Sequence, residues 1–396
     1  MSIKSKQTLA YVGPFSFPNG GAAARRIIGI AKALQSLNFR VVVGSGQCND
    51  EAPKDNRYDG VDVYSLNERT AEKYPTFIKH IFYFGMGKKT VAWLESLEQK
   101  PHAVILYSGY SPYLLRLIPW CRKNKIPLIF DAVEWYDPPS LVKGLLNPYY
   151  WNIELAMRFL IGKTNNVIAI SKYLQNYYQF KACNTVRMPP TLDIGNIHAN
   201  FEPSNSPFLT LGYTGNPGHK DSLDNVLSAI LDLDENGKRI RLNIAGITEK
   251  QLLDFPALKN RSLVSLPDCL ECLGVVSQVK ALDIIRNADF SVLLRPNRRY
   301  AKAGFPTKFV ESFSVGTPVI ANFSSDLSEY LQDGENGIVC EDESSTSLIL
   351  ALNKALSLKY EQLKKMRVNA REMAAESFDI SSKRDSLINF LGQLDN

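Results

Sequence analysis

Arg295-Pro296-Asn297-Arg298-Arg299-Tyr300, followed by Gly304-Phe305-Pro306-Thr307-Lys308-Phe309-Val310-Glu311-Ser312-Phe313-Ser314-Val315-Gly316-Thr317-Pro318-Val319-Ile320-Ala321, is the stretch that decides the fold. An apolar run over Phe290–Leu294 predicts a buried strand that ends in a basic loop. A helix is then predicted over Thr307–Val315, with Pro306 suited to its first turn. Gly316-Thr317-Pro318 turns the chain into a second strand at Pro318–Ala321. Strand, helix, strand in this order implies a parallel sheet. The start of such a helix can hold phosphate on free backbone N–H groups. Glu311, one turn in, can accept paired hydrogen bonds from ribose hydroxyls, and Arg295 and Arg298 offer positive charge.

The same alternation runs outward in both directions. Strands are predicted at Leu9–Gly13, Val41–Gly44, Val61–Tyr64, Ala103–Tyr107, Leu128–Asp131 and Val167–Ile170, with helices such as Ala22–Leu37 and Pro112–Lys123 between them. Pro189, Pro190, Pro203 and Pro207 mark a linker near 190–207. The pattern then resumes with strands at Leu209–Tyr213, Leu242–Ala245, Leu263–Leu266 and Gly337–Cys340 and helices at Leu223–Leu233, Gln278–Asn287 and Thr346–Leu356. A last helical stretch covers Ser381–Leu394. The expected fold class is α/β, with two Rossmann-like domains. Their boundaries are read as 1–195 and 196–375, with 376–396 as a C-terminal helix. In such sheets ligands bind at the carboxyl ends of strands, so the loops after strands are where chemistry is sought.

Three further loops qualify. The first, Gly13 to Arg25, contains Gly20-Gly21 and opens the first helix. It suits an anion, yet it is neither G-x-G-x-x-G nor a Walker loop; the plain alternative is a strand–helix turn without ligand. The second, Asp131-Ala132-Val133-Glu134-Trp135-Tyr136-Asp137, places Glu134 and Asp137 beside two aromatics. Carboxylates there can orient a hydroxyl or accept its proton, and aromatic faces suit a sugar ring; the plain alternative is a turn with surface acids. The third, Tyr213-Thr214-Gly215-Asn216-Pro217-Gly218-His219-Lys220-Asp221, brings small residues and Lys220 to a helix start, where a leaving diphosphate needs compensating charge; the plain alternative is a solvated surface lysine.

Gly304-Phe305-Pro306, Glu311 and Gly316-Thr317-Pro318-Val319-Ile320-Ala321 resemble, in order and spacing, the signature of retaining GT-B fold glycosyltransferases of sequence family 4. Those enzymes carry Glu-x7-Glu before a Gly-x-Pro strand. Glu311 falls on the second glutamate, which the family uses on the nucleotide's ribose. The first glutamate is replaced by Ala303. Gly20 and Gly21 resemble the family's first-domain turn near the diphosphate, and Gly215 and Lys220 its phosphate loop, with Asn216 where many members have arginine. The resemblance implies two facing domains with a deep cleft and a terminal helix crossing back. It also implies transfer of a sugar from a nucleotide-diphosphate sugar to an acceptor hydroxyl with retention, and no metal or other cofactor. The donor would lie against Gly20, Gly21, Gly215, Asn216, Lys220, Arg295, Arg298, Phe305, Pro306, Thr307, Lys308 and Glu311. Catalytic roles would fall to Glu134, Asp137, Lys220 and Arg295. The acceptor would be a growing glycan or a lipid-linked one. A sugar-nucleotide epimerase of the same fold, or a non-catalytic binding subunit, is the alternative.

Composition agrees with a globular protein: 45% hydrophobic and 22% charged residues exclude disorder and coiled coil as whole-chain descriptions. The net charge of +6 is too small for a typical nucleic-acid binder, and fits an anionic small ligand or a negatively charged membrane surface. No apolar run reaches the ~18–20 residues of a membrane span, and the N-terminus lacks signal-peptide organisation. The six scattered cysteines are no disulfide framework for a chain this long, so a reducing cytoplasm is expected. Phe77 to Lys89 interleaves aromatics with basic residues and reads either as a peripheral contact with anionic lipid or as a core helix with a charged end. Cys269-x-x-Cys272 has no second pair and is read as two thiols; Asp232-Leu233-Asp234 is read as a solvated helix end.

Overall fold

The structure, a computed structural model, describes residues 6–19, 21–48, 56–69, 83–138, 147–218 and 220–394. The chain divides into two units. The first comprises Met1–Thr191, Ala303–Phe305 and Ile380–Asn396; the second comprises Leu192–Lys302 and Pro306–Asp379.

In the first unit the strands are β1 (Thr8–Gly13), β2 (Arg40–Ser45), β3 (Arg57–Tyr58), β4 (Val61–Ser65), β5 (Ala103–Tyr107), β6 (Leu128–Ala132), β7 (Asn166–Ala169) and β8 (Asn184–Arg187). They form one sheet in the order β3-β4-β2-β1-β5-β6-β7-β8. Every pairing is parallel except the β3–β4 hairpin. The main helices are α1 (Ala22–Ser36), α2 (Lys88–Ser96), α3 (Tyr110–Asn124), α4 (Pro148–Leu155) and α5 (Lys172–Phe180). The apolar period of α1 turns Ile27, Ile30, Ala31 and Leu34 onto Leu9, Tyr11, Val41 and Val43 of the sheet. Burying each such Ile or Leu contributes about 1.5–3 kcal/mol.

The second unit holds β9 (Leu209–Thr214), β10 (Ile240–Ala245), β11 (Leu270–Cys272), β12 (Phe290–Leu293), β13 (Val319–Asn322) and β14 (Gly337–Cys340), all parallel, in the order β11-β10-β9-β12-β13-β14. Its main helices are α6 (Leu223–Asp234), α7 (Gln278–Asn287), α8 (Thr307–Ser314), α9 (Ser345–Leu356) and α10 (Tyr360–Phe378). Ser277 and Ser344 cap α7 and α9 by accepting from the third backbone N–H. Arg367 of α10 is fully buried, and its guanidinium donates to the carbonyls of Asn200, Arg286 and Ala288. The last helix, α11 (Arg384–Gly392), belongs to the first unit. Leu387, Phe390 and Leu391 bury in that unit's core, and Asn184 of β8 donates to the Phe390 carbonyl at 3.1 Å.

One local expectation is corrected. No strand forms at Leu263–Leu266: Val264 is 92% exposed, and the edge strand is β11, beyond Pro267. Its apolar residues are too few to bury both faces, so Leu263 and Leu266 only lean on the core's rim. The short edge strand β8 and the 19-residue α10 carry too many polar residues to stand out as apolar runs, and both are additions to the predicted elements. Asp232-Leu233-Asp234 ends α6, where the Asp234 carboxylate accepts from the backbone of Arg239 (2.6 Å) and Ile240 (2.8 Å). Cys269 and Cys272 are free thiols, the first buried with its pKa pushed up to about 11 by desolvation.

Candidate active site

Strand order selects the place. In the second unit β9 is central, with β10 on one side and β12 on the other, so the chain direction of winding reverses between β9 and β12. Ligands bind doubly wound sheets at the carboxyl ends of the two strands flanking such a reversal. The loop after β9 is Gly215–Gly218, and the residue closing β12's exit is Arg295.

Gly215 has φ +100°, a region that glycine occupies without strain. A Cβ on it would stand 3.1 Å from Lys308 Cε. Below it, Gly246 (φ +105°) packs so closely that a Cβ there would lie 2.6 Å from Gly215 Cα. Asn216 is exposed, and its side-chain oxygen accepts from the Gly218 N–H at 2.9 Å, which closes the loop. That use of the oxygen makes Asn216 a shaper of the loop.

Lys308, in the first turn of α8, donates to Asp221 Oδ2 at 2.6 Å and to the Tyr213 hydroxyl at 2.7 Å. Tyr213 in turn donates to Asp221 at 2.8 Å. Arg295, almost wholly buried, has Nε 3.6 Å from the other Asp221 oxygen. Asn322, at the end of β13, brackets the Arg295 backbone, accepting from its N–H (2.9 Å) and donating to its carbonyl (2.8 Å). Burial lowers the Lys308 pKa first, and the charges of Arg295 and Lys220 lower it further, against the opposing pull of Asp221. Two cations, Lys308 and Arg295, thus meet one carboxylate beside a glycine loop, with Lys220 near enough for its charge to be felt at Lys308.

Glu311 sits one turn beyond Thr307 and is buried. The helix beneath it is fixed by Ser312, whose Oγ meets Ser291 Oγ at 2.7 Å and the Thr317 carbonyl at 2.8 Å. The N-cap residue of α8 is Pro306, whose ring makes no capping hydrogen bond, and the first N–H groups of the helix have no partner within the helix itself. Phe305 and Pro306 are buried, and Arg298 is exposed.

Sequence reasoning named Gly215, Lys220, Arg295, Lys308 and Glu311, and the structure gathers Gly215, Arg295 and Lys308 around Asp221. It placed Tyr213 and Asp221 in the loop without giving them a role, and missed Asn322 and Gly246, because their parts depend on neighbours far along the chain. Asp221, next to Lys220 in a glycine loop, was the one with a readable signal.

The first unit has its own reversal, between β1 and β5. The loop after β1 is anchored by buried Phe15 and Phe17: the Phe17 N–H donates to Gln47 (2.8 Å), and Ser45 Oγ donates to the Phe15 carbonyl (2.8 Å). Gly21 adopts φ +61° just before α1, with open space where a Cβ would stand. Gly20 and His219 lie outside the described residues, as do residues 77–82 of the aromatic–basic segment. Asp131, at the end of β6, is fully buried against Arg26 of α1 (2.6 Å) and also accepts from the Tyr11 hydroxyl. Glu134 is half-buried, accepts from the Tyr136 hydroxyl, and its charge helps raise the pKa of Tyr107 and Tyr149 after burial has done most of it. Asp137 is half-buried. The expected pair of aromatic faces is corrected. Trp135 turns inward, donating to Glu154 at 2.9 Å and packing edge-on against Tyr177. Its ring is too apolar to leave in water when a core is available. Ala303 is fully buried, and its carbonyl accepts from Ser171 Oγ at 2.6 Å.

Residues 197–373 match the family model described as glycosyl transferases group 1. That segment contains the Gly215 loop, Asp221, Arg295, Lys308 and Glu311. A comparison of the sequence with curated proteins finds no match. Solved structures resemble the chain over nearly its whole length. HepE of Anabaena, in complex with UDP and glucose, superimposes with a TM-score of 0.66 at 15% identity, covering 98% of this chain and 100% of that one. Sucrose-phosphate synthase from Thermosynechococcus elongatus gives 0.73 at 13% identity, covering 98% and 99%. WaaG, a glycosyltransferase involved in lipopolysaccharide biosynthesis, gives 0.65 at 15% identity, covering 96% and 98%. At these identities the likeness establishes the fold: α/β, two parallel-sheet Rossmann-like units, the GT-B architecture.

Proposed function

We propose that this chain is a glycosyltransferase that moves a sugar from a nucleoside-diphosphate sugar to an acceptor hydroxyl with retention at the anomeric carbon. The observation that carries this reading is the meeting of Lys308 and Arg295 on Asp221 beside the Gly215 loop, one helical turn from Glu311, inside the segment matching group 1. The second unit takes the donor and the first the acceptor. The diphosphate lies against the Gly215 loop and the start of α8, with Lys308 and Arg295 as counter-charges, and Glu311 holds the ribose.

In the step itself, the bond between the anomeric carbon and the phosphate oxygen breaks. The acceptor oxygen forms its new bond on the same face, and its proton passes to the departing phosphate. The cations stabilise the charge that develops there, so the reaction needs no divalent metal. Glu134 and Asp137 orient acceptor hydroxyls. The acceptor is a growing or lipid-linked glycan, and the protein works in the cytoplasm against the membrane. Because HepE is seen with UDP, uridine nucleotides are the first donors to try.

The test is a thermal-shift screen with UDP, GDP, CDP, ADP and dTDP, wild type beside Glu311→Ala. A ligand at 100 times its dissociation constant stabilises by about 2.7 kcal/mol. One nucleotide should raise the melting temperature, and the variant should lose that rise. Acceptor-dependent release of the same nucleotide from its sugar conjugate then separates transfer from epimerisation and from mere binding. No shift from any nucleotide overturns the reading.

A further inference from the structure

α4 continues without a break into a π-form turn, Ala156–Leu160, and then a 3-10 turn, Ile161–Thr164. Its inner face is ordinary core: Ile153, Ala156, Met157 and Leu160 are buried. Its outer face carries Trp151, Leu155 and Phe159, at four-residue spacing and therefore in one row, exposed by 51%, 44% and 64%. A monomeric surface rarely aligns three large apolar side chains in this way without a partner.

Charge says which partner. From Pro148 to Thr164 the sole acid is Glu154, which is buried and engaged by Trp135 and Arg158. At the far end of the row, Lys181 Nζ donates to the Arg158 carbonyl at 2.5 Å, and Arg122 reaches the Lys163 carbonyl at 3.4 Å. Phe180, beside Lys181, is 92% exposed. An apolar row with tryptophan, bordered by arginine and lysine on flexible stems, is complementary to anionic headgroups above acyl chains. A second copy of the chain would bring the same positive charges against one another.

We propose that the outer face of residues 151–159, with Arg122, Lys163 and Lys181 at its end, is the surface by which the protein rests on an anionic lipid bilayer. Trp151, Leu155 and Phe159 enter the interface, and the cations meet the headgroups. The element lies in the plane of the membrane; among the described residues no helix is long and apolar enough to cross one. This inference names the surface behind the membrane contact in the functional reading, but does not need the chain to transfer sugar.

The experiment is vesicle co-sedimentation of the full chain without donor or acceptor. Phosphatidylcholine vesicles containing about one third phosphatidylglycerol are compared with pure phosphatidylcholine. Binding to the anionic vesicles is expected, falling with salt. The triple variant Trp151→Ser, Leu155→Ser, Phe159→Ser should lower the bound fraction at least tenfold, and Lys163→Gln with Lys181→Gln should flatten the salt dependence. Trp151→Phe should still bind, but lose the blue shift of tryptophan fluorescence on vesicles. The triple variant's melting temperature and its nucleotide-induced shift should match wild type, which separates this failure from that of the donor reading. Wild type that ignores both vesicles overturns the proposal, as does a triple variant that binds as well as wild type. A concentration-dependent dimer that the triple variant abolishes, without vesicle binding, overturns it in favour of a second copy.

Discussion

Lys308 and Asp221 stand 2.6 Å apart, 87 positions separated in sequence, and the carboxylate of one pins the ammonium of the other against the Gly215 loop. Both are largely buried, so the pair is only weakly screened by solvent. The arrangement holds a cation where a phosphate would lie, with its orientation already set.

Replacing Lys308 by Met should weaken UDP binding at least tenfold, about 1.4 kcal/mol. Replacing Asp221 by Asn should lower stability by about 1.5–3 kcal/mol, because Lys308 and Arg295 lose their shared acceptor. Calorimetric titration with UDP and urea denaturation read the two effects separately. Unchanged affinity in the Lys308 variant would remove it from the donor site.

Alkaline pH should weaken UDP binding earlier than an ordinary lysine would allow. Burial sets the Lys308 pKa below its usual 10.5, so its charge is present at lower pH and disappears as pH rises through that lowered value. Lys308→Arg should keep its affinity across the same window, since guanidinium stays charged. The sign for stability is the reverse. Between the lowered pKa and 10.5 the unfolded chain holds the extra proton, so this group's contribution to stability grows with pH there.

Arg26 and Asp131 form a buried ion pair under the loop after β1, with Arg26 also donating to the Met188 carbonyl at 2.8 Å. Asp131→Asn should cost about 3–5 kcal/mol, since it leaves a buried guanidinium uncompensated. Urea unfolding measures it, and a loss under 1 kcal/mol would show that the pair contributes little.

Gly246→Ala should abolish nucleotide binding although residue 246 belongs to none of the predicted site residues. The added methyl would meet Gly215 Cα at 2.6 Å, on a backbone at φ +105° that alanine resists. The Gly215 loop must then shift. A thermal-shift titration showing wild-type response to UDP would contradict this.

The sequence by itself determined the alternation of strands and helices, the two parallel sheets, and the loops after strands as the places to look. It also singled out the helix carrying Lys308 and Glu311. These follow from local patterns: apolar runs, helical spacing, and glycine and proline at turns. Tertiary structure decided which side chains meet. The order β10-β9-β12 sets Gly215 beside Arg295, and only then can Asp221 draw Lys308 and Arg295 together. Gly246 matters because β10 lies next to β9. Trp135 faces inward because α5 supplies Tyr177 to pack on it. Apolar periodicity tells each residue whether it is inside or outside; it carries no record of which distant strand becomes its neighbour, and the pairing of buried charges depends on that neighbour alone.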